Sequence, residues 1–573
     1  MKSFNLSRRS LVQGLAAASA LSALGDLPGS ARAAAYQPEL SGDQFDLTIG
    51  SKPVRVAGRR SVATLVNDML PGPVLRWREG DTVTLRVRNT LSVPTSIHWH
   101  GIRSPSDMDG VPGLSFRGIM PGETFTYRIP LRQSGTYWYH SHSGMQEQTG
   151  LYGALVVEPR NGAITHADRD YVVMLSDWTD QSPEMIVSNL KQESDYYNRG
   201  QRTLGSFVAD AERRGLRHTI ADRLAWSGMR MSPTDIADVS GATYTYLLNG
   251  TAAGANWTGL FRPGERVRLR LINGSAMTFF DVRIPGLKMS VVAADGNEVV
   301  PVAVDELRIG VAETYDVIVE PTADKAYTIF AQSQDRSGFA RGTLAPHAGM
   351  TGPIPAMDPR PLRSMADMGM GGVAMGGGRM GGAAMSSMSM GAMAMAPTAH
   401  SDPVAEKLKG RIAVDNVAMA PINRLGEAGV GLDGNGRRVL RYTDLRAVRP
   451  GTDARPPSRE ILLHLTGNME RYMWGFDGKT FSEAEPIRLK LGERVRFTLI
   501  NDTMMEHPIH LHGLWSELEN GQGAYRPYKH TIIVKPGERL SYLVTADAPG
   551  HWAYHCHLLY HMEMGMFRTV IVA

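Results

Sequence analysis

The sequence predicts an all-β protein of three β-sandwich domains in series, with a helical insertion in the second. Three observations carry this reading. A stretch of alternating apolar and polar residues that closes on Asn occurs three times, the segments between are short and broken by Gly and Pro turns, and 573 residues exceed one ordinary domain.

The first copy is Gly80-Asp81-Thr82-Val83-Thr84-Leu85-Arg86-Val87-Arg88-Asn89, whose period of two is that of a half-buried strand. The pattern returns from Gly264 to Asn273 and again from Gly492 to Asn501. Domains are expected over residues 36–160, 165–345 and 402–573. Inside the second, about Gln181 to Val239 carries helical stretches, read as an insertion over the sandwich. Residues 346–401 form a linking segment, within which Met365 to Met395 holds ten Met and nine Gly in 31 residues. So few large apolar groups do not offset the entropy of ordering, and a mobile segment is expected.

Composition excludes several function classes. A hydrophobic content of 42 % is enough for sizeable cores. The formal charge of +4 is mostly carried by Lys2, Arg8, Arg9 and Arg32 near the N-terminus, so the remainder is close to neutral and no nucleic-acid partner is expected. A single cysteine, Cys556, excludes a disulfide framework and any multi-cysteine metal cluster. Ser7-Arg8-Arg9-Ser10-Leu11-Val12, a modest apolar stretch and Ala31-Arg32-Ala33 read as a twin-arginine export signal over residues 1–33, which implies a periplasmic protein. No later run reaches the roughly 18 apolar residues of a membrane span.

Ten of the 17 histidines fall in four motifs: His98/His100, His140/His142, His507/His510/His512 and His555/His557/His561. Their spacing follows the repeat. His98 lies nine residues after Asn89 and His510 nine after Asn501, while Pro121-Gly122-Glu123 and Pro536-Gly537-Glu538 each begin 19 residues before His140 and His555. In the second copy the matching positions are Val282 and Ile284, so the middle domain keeps the scaffold without the histidines.

Both imidazoles of an H-x-H strand point to one face, so two pairs in each of two domains can converge eight imidazoles on one interface. Imidazole suits Cu, Zn, Fe and Ni alike. Cys556 faces the other side of its strand, toward a second centre assembled from His507, Cys556, His561 and Met566. Two imidazoles, a thiolate and a weak thioether are the ligand set of a blue-copper electron-transfer site. In the first domain Ser141 stands at the position of Cys556 and Thr95 at that of His507, so that domain can line a cluster but cannot form a blue site.

These motifs resemble those of the multicopper oxidases over essentially the whole mature chain. The export signal, the Met/Gly stretch and the ending from His555 to Met566 are similar to the bacterial copper-resistance branch of that family. The resemblance implies three cupredoxin-like Greek-key sandwiches and four copper ions, one type 1, one type 2 and two type 3, with the three-copper cluster between the first and third domains. By motif position, His98 and His510 would hold type 2 copper. His100, His140 and His557 would hold one type 3 ion, and His142, His512 and His555 the other. Type 1 copper would fall to His507, Cys556, His561 and Met566, with electrons passing from Cys556 to both neighbouring histidines.

The implied reaction couples one-electron oxidations of a substrate to reduction of dioxygen to water, which consumes protons and calls for a nearby carboxylate. Asp109, nine residues after His100, matches the family position for that role; the position after His561, acidic in several relatives, is Met562, leaving Glu563 as a second candidate. Soft thioethers select Cu(I), so Cu(I) is the first substrate reading, with Met504 and Met505 before His507 and Met365, Met368 and Met370 of the Met-rich run as docking candidates. The implied role is in copper resistance, with other periplasmic copper-handling proteins as partners. A laccase acting on small phenols and a copper-sequestering protein are the alternatives. The Gly429–Gly434 run spells G-x-G-x-x-G without a strand before it or a helix after it and is discounted. His166, His218, His347, His400, His464, His530 and His551 lie outside the repeat frames and are read as ordinary residues.

Overall fold

In the computed structural model the described residues are 38–162, 165–365, 367–368 and 403–573. The export signal, Met370 and most of the Met/Gly run lie outside them.

Among the described residues six sheets pair into three sandwiches, the first spanning Glu39–Glu158, the second Arg169–Ala345 and the third Arg459–Val572. Each repeated frame becomes the same central strand. Thr82–Asn89, Val267–Asn273 and Arg494–Asn501 each run parallel to a preceding strand and antiparallel to a later one. A parallel neighbour cannot be reached by a tight hairpin, so each sandwich crosses between its sheets in the Greek-key manner.

The closing Asn has a structural reason. In every copy its side chain is fully buried, and its amide donates twice to backbone carbonyls. Asn89 binds Val93 and Ile119, Asn273 binds Thr278 and Ile309, and Asn501 binds Met505 and Val534, at 2.8–3.1 Å. Its Oδ1 accepts the backbone N–H two residues on. One side chain thus bends the loop that leads, in the first and third domains, straight to a histidine strand.

Only the first frame keeps the expected half-exposed alternation. Val267–Asn273 is buried at every position, because the polar face of that strand packs on the first domain. Arg270 reaches Thr136 Oγ1 at 2.9 Å and forms ion pairs with Asp170 and Asp316 at 2.7 and 3.2 Å. In the third frame Arg494 is buried by a two-pronged pair with Glu517 at 2.8 and 2.9 Å. Paired guanidinium groups, not exposure, satisfy these polar positions.

The first domain has its own apolar core around Trp77, Trp99, Tyr127 and Tyr139. The second and third share one continuous cluster, into which Trp138 and Tyr152 of the first also pack. Val282 and Ile284, standing where the other domains carry histidines, are fully buried members of that core.

The insertion forms three helices, α1 (Pro183–Gln192), α2 (Leu204–Arg214) and α3 (Leu216–Gly228). Ser182 caps α1 by accepting the Met185 N–H, with Pro183 at the first position. Gly215, at φ +88°, separates α2 from α3. Residues 403–458 lie inside the span expected of the third domain but precede its first strand; this segment bridges to Val299 and Glu306 of the second and to Glu538 of the third.

Asn273→Ala removes two donated bonds and one accepted bond in a buried site without touching a histidine. Net bonds are worth about 1 kcal/mol each and orphaned buried groups cost more, so the variant should lose about 2–4 kcal/mol, read as a lower midpoint in denaturant unfolding.

Candidate metal centre

Strand register brings the histidines together. His98 lies opposite His140 in the first domain, and His510 opposite His555 in the third. The two edges meet face to face, with the His98 and His512 rings 3.9 Å apart and the His100 and His510 rings stacked at 3.9 Å. All eight expected cluster histidines converge at this junction, seven of them almost fully buried and His142 partly so.

The outward nitrogens fix which atom faces inward. His98 Nδ1 donates to Asp109 O at 2.8 Å, His512 Nδ1 to Asp109 Oδ2 at 2.8 Å and His140 Nδ1 to Glu147 Oε2 at 2.6 Å. His510 Nδ1 donates to His530 O at 2.6 Å and His555 Nδ1 to Cys556 O at 2.8 Å. Each of these imidazoles therefore turns the lone pair of Nε2 into the cluster. His100 is reversed: its Nε2 meets His530 Nδ1 at 3.1 Å and Thr531 Oγ1 at 3.2 Å, leaving Nδ1.

This arrangement fits metal. The Nε2 atoms of His512 and His555 stand 3.1 Å apart with both Nδ1 atoms already donating, so two lone pairs face one another. A shared cation relieves that opposition. Nε2 of His98, His142 and His510 and Nδ1 of His100 are buried without a protein partner. Burial, reinforced by neighbouring imidazoles, pushes His100, His142, His510, His512 and His557 well below the ordinary histidine range, and His555 falls to about 3. They are neutral, which is the ligand form.

The second centre uses the opposite ring atoms. His507 Nδ1 and His561 Nδ1 are 3.2 Å apart and lie 3.4 and 3.8 Å from Cys556 Sγ. Their Nε2 atoms are held by Thr503 Oγ1 at 2.7 Å and Asp238 Oδ2 at 2.6 Å. Trp474 stacks on His561 at 3.7 Å. Met566 is fully buried, and its backbone is tied to both Cys556 and His561. In the first domain the corresponding spot is filled differently: Thr95 and Ser141 both donate to Gln146 Oε1, at 2.6 and 3.0 Å. A glutamine locks the place where the third domain gathers His507 and Cys556.

Asp109 holds two histidines of the cluster. Glu563, by contrast, is exposed beyond His561, and a further carboxylate that reaches a cluster imidazole is Glu147 on His140, raised by burial and by the nearby Asp177 and Glu563. His530, read from sequence as ordinary, lies inside the cluster, because the turn before Thr531–Val534 packs across the histidine strand. His464 also has a fixed role, binding Asp502 Oδ2 at 2.7 Å. Glu147 had a local signal, an acidic residue five positions after His142. Asp238, at the end of the helical insertion, had none.

Beside the Cys556 centre is a cleft of about 470 Å³ between the insertion and the third domain, lined by Trp226, Met231, Asp235, Met469 and Met504 among others. Met505 is buried in the core and is not part of that lining. Met368 is buried and Met365 packs on the same core. A backbone contact puts the chain just before the Met/Gly run at this cleft: Arg363 N donates to Pro233 O at 2.9 Å.

Multicopper oxidase family models match residues 48–162, 169–347 and 454–573. The chain is 56 % identical to copper resistance protein A of Pseudomonas syringae pv. tomato and 54 % identical to that of Escherichia coli, covering 99 % of each partner in both cases. It is 30 % identical to the multicopper oxidase MmcO of Mycobacterium tuberculosis, over 92 % of this chain and 86 % of that protein. Among solved structures, Fet3p, a multicopper oxidase that functions in iron import, aligns with TM-score 0.64 at 18 % identity, covering 93 % of this chain and 90 % of its own. The laccase of Botrytis aclada aligns with TM-score 0.60 at 20 % identity, over 94 % and 88 %. At such identities these two show the shared fold.

Asp238→Ala frees His561 Nε2 and leaves the cluster histidines untouched. Loss of an acceptor behind a ligating imidazole costs about 10–100-fold in metal affinity. Chelator competition should therefore show weakening at the Cys556 centre and unchanged retention at the eight-histidine cluster.

Proposed function

Because this chain belongs to the multicopper oxidase family, we propose that it oxidises Cu(I) to Cu(II) at the Cys556 centre and passes the electrons to dioxygen at the histidine cluster, with a role in copper resistance. Bound copper supplies the one-electron redox chemistry and the site of dioxygen reduction. The assignment is four ions: type 1 on His507, Cys556, His561 and Met566; type 2 on His98 and His510; and a type 3 pair on His100, His140 and His557 and on His142, His512 and His555. Four Cu(I) give four electrons, and one dioxygen with four protons becomes two waters. Asp109 holds His512 in its ligating tautomer and is a buried carboxylate at the cluster that can relay the protons needed there.

The observation that carries the substrate reading is the cleft of Met231, Met469, Met504 and Asp235. Thioethers select cuprous over cupric ion, and Asp235 is three residues from Asp238, which touches the ligand His561. The twin-arginine pattern and the copper-resistance relatives support a periplasmic location.

Cys556→Ser should abolish the intense blue absorption and oxidase activity while the cluster, whose eight histidines are unchanged, still takes up copper. The substrate reading is tested by oxygen uptake with Cu(I) and with a phenol. Met469→Leu combined with Met504→Leu nearly conserves volume and should raise the KM for Cu(I) about tenfold, ~1.4 kcal/mol, leaving phenol oxidation unchanged. Equal loss on both donors would point to a laccase. Unchanged Cu(I) kinetics would remove the cleft from the substrate path.

A further inference from the structure

Nine imidazoles, not eight, meet at the cluster. His530 is 3 % exposed, and its ring packs edge-on against His100, with centroids 4.6 Å apart and Nδ1 3.1 Å from His100 Nε2. It comes from the third domain, across the junction from His100. The chain makes room for it. Gly101 has φ +81°, and a Cβ there would sit 2.5 Å from His530 Cδ2 and 2.8 Å from a Tyr137 ring atom. The glycine closing His98-Trp99-His100-Gly101 is thus needed for the ring of His530 to approach.

The backbone of His530 is held from the middle domain. Asp295 Oδ2 accepts the N–H groups of His530 and Thr531, each at 3.1 Å, and pairs with the buried Lys529 ammonium at 3.0 Å. Lys529 also pairs with Glu313 at 3.0 Å, and Glu313 takes the Tyr442 hydroxyl at 2.6 Å. The second domain, which lacks the histidine motifs, still anchors a residue at the cluster.

We propose that His530 is a positioning residue that sets the tautomer of His100. Five cluster histidines commit Nδ1 to an acceptor and offer Nε2. His100 differs from these five and must offer Nδ1, because its Nε2 is turned to His530 and Thr531. With His530 Nδ1 accepting, the proton of His100 is on Nε2 and the lone pair of Nδ1 faces the cluster. Were the proton shared the other way, His100 would present an N–H to the metal and could not ligate it. Thr531 Oγ1 contacts both nitrogens, His100 Nε2 at 3.2 Å and His530 Nδ1 at 3.1 Å, and as donor or acceptor completes either arrangement, while Asp295 Oδ2 lies 3.7 Å from His530 Nδ1. The inference rests on His100 being a copper ligand.

The test compares His530→Asn with His530→Leu in the full-length, copper-loaded protein. The amide oxygen of Asn can take the place of Nδ1 as acceptor, whereas Leu fills the space without one. Copper affinity at the cluster is read by chelator competition, with the blue absorption as an internal control for folding and for the type 1 centre. The Leu variant should lose about 10–100-fold in cluster affinity with the blue band intact, and the Asn variant should stay within a few-fold of the parent. Equal affinity in parent and Leu variant, or equal loss in both variants, would overturn the role of His530. Absence of copper from the cluster of the parent protein would overturn the copper reading itself, and with it this inference.

Discussion

The constraint on which everything else depends is the burial of imidazoles at one junction with their lone pairs facing each other. In a dry site such an arrangement is unfavourable by itself, since polar atoms have been removed from water without a partner. It is tolerable because six of the eight rings have the outer nitrogen satisfied: by Asp109, Glu147, the carbonyls of His530 and Cys556, or the His530 ring. The outer shell therefore does two things. It stabilises the apo junction, and it decides which nitrogen a metal meets. The same logic, with the ring atoms exchanged, holds at the Cys556 centre, where Thr503 and Asp238 occupy the Nε2 atoms and leave Nδ1 beside sulfur.

Three copies of one sandwich have been put to different uses. The first and third bring their histidine edges together. The second fills the equivalent positions with Val282 and Ile284 and acts as the brace between them. Its Arg270 ties down the first domain through Thr136, its Asp295 holds the His530 turn of the third, and its helical insertion delivers Asp238 to His561. The centre is assembled from all three domains although only two carry the histidine motifs. Inside the first domain, Gln146 shows the same economy: it ties Thr95 to Ser141 where the third domain needs His507 and Cys556.

Much of this was legible in the sequence because it recurs at fixed intervals. The closing Asn, the H-x-H pairs and the offset of 19 residues place strand, loop and histidine in the same order twice. The period-two rule alone predicts that His98 and His100 share a face and that Cys556 turns away from His555 and His557. What escaped was everything that depends on contacts between frames. His530 meets His100 across 430 residues, and Asp238 meets His561 across 323. Neither belongs to a motif, and no spacing announces either. The expected alternation in the second frame failed for a related reason, since Arg270 is buried against Thr136 of the first domain. Glu563 and Glu147 lie differently because of chain direction: after His561 the short helix carries Glu563 outward, whereas the turn after His142 folds Glu147 back against His140.

The central claim is that two spatially separate ligand sets, one sulfur-containing and one made only of imidazoles, hold the metal. Anomalous diffraction at the copper edge from crystals of the copper-loaded protein tests it most directly. The account predicts one peak among His507, Cys556, His561 and Met566 and three peaks among the eight histidines, with His100 bound through Nδ1. A cluster without metal beside an occupied Cys556 centre, or a His100 ligating through Nε2 away from His530, would contradict it.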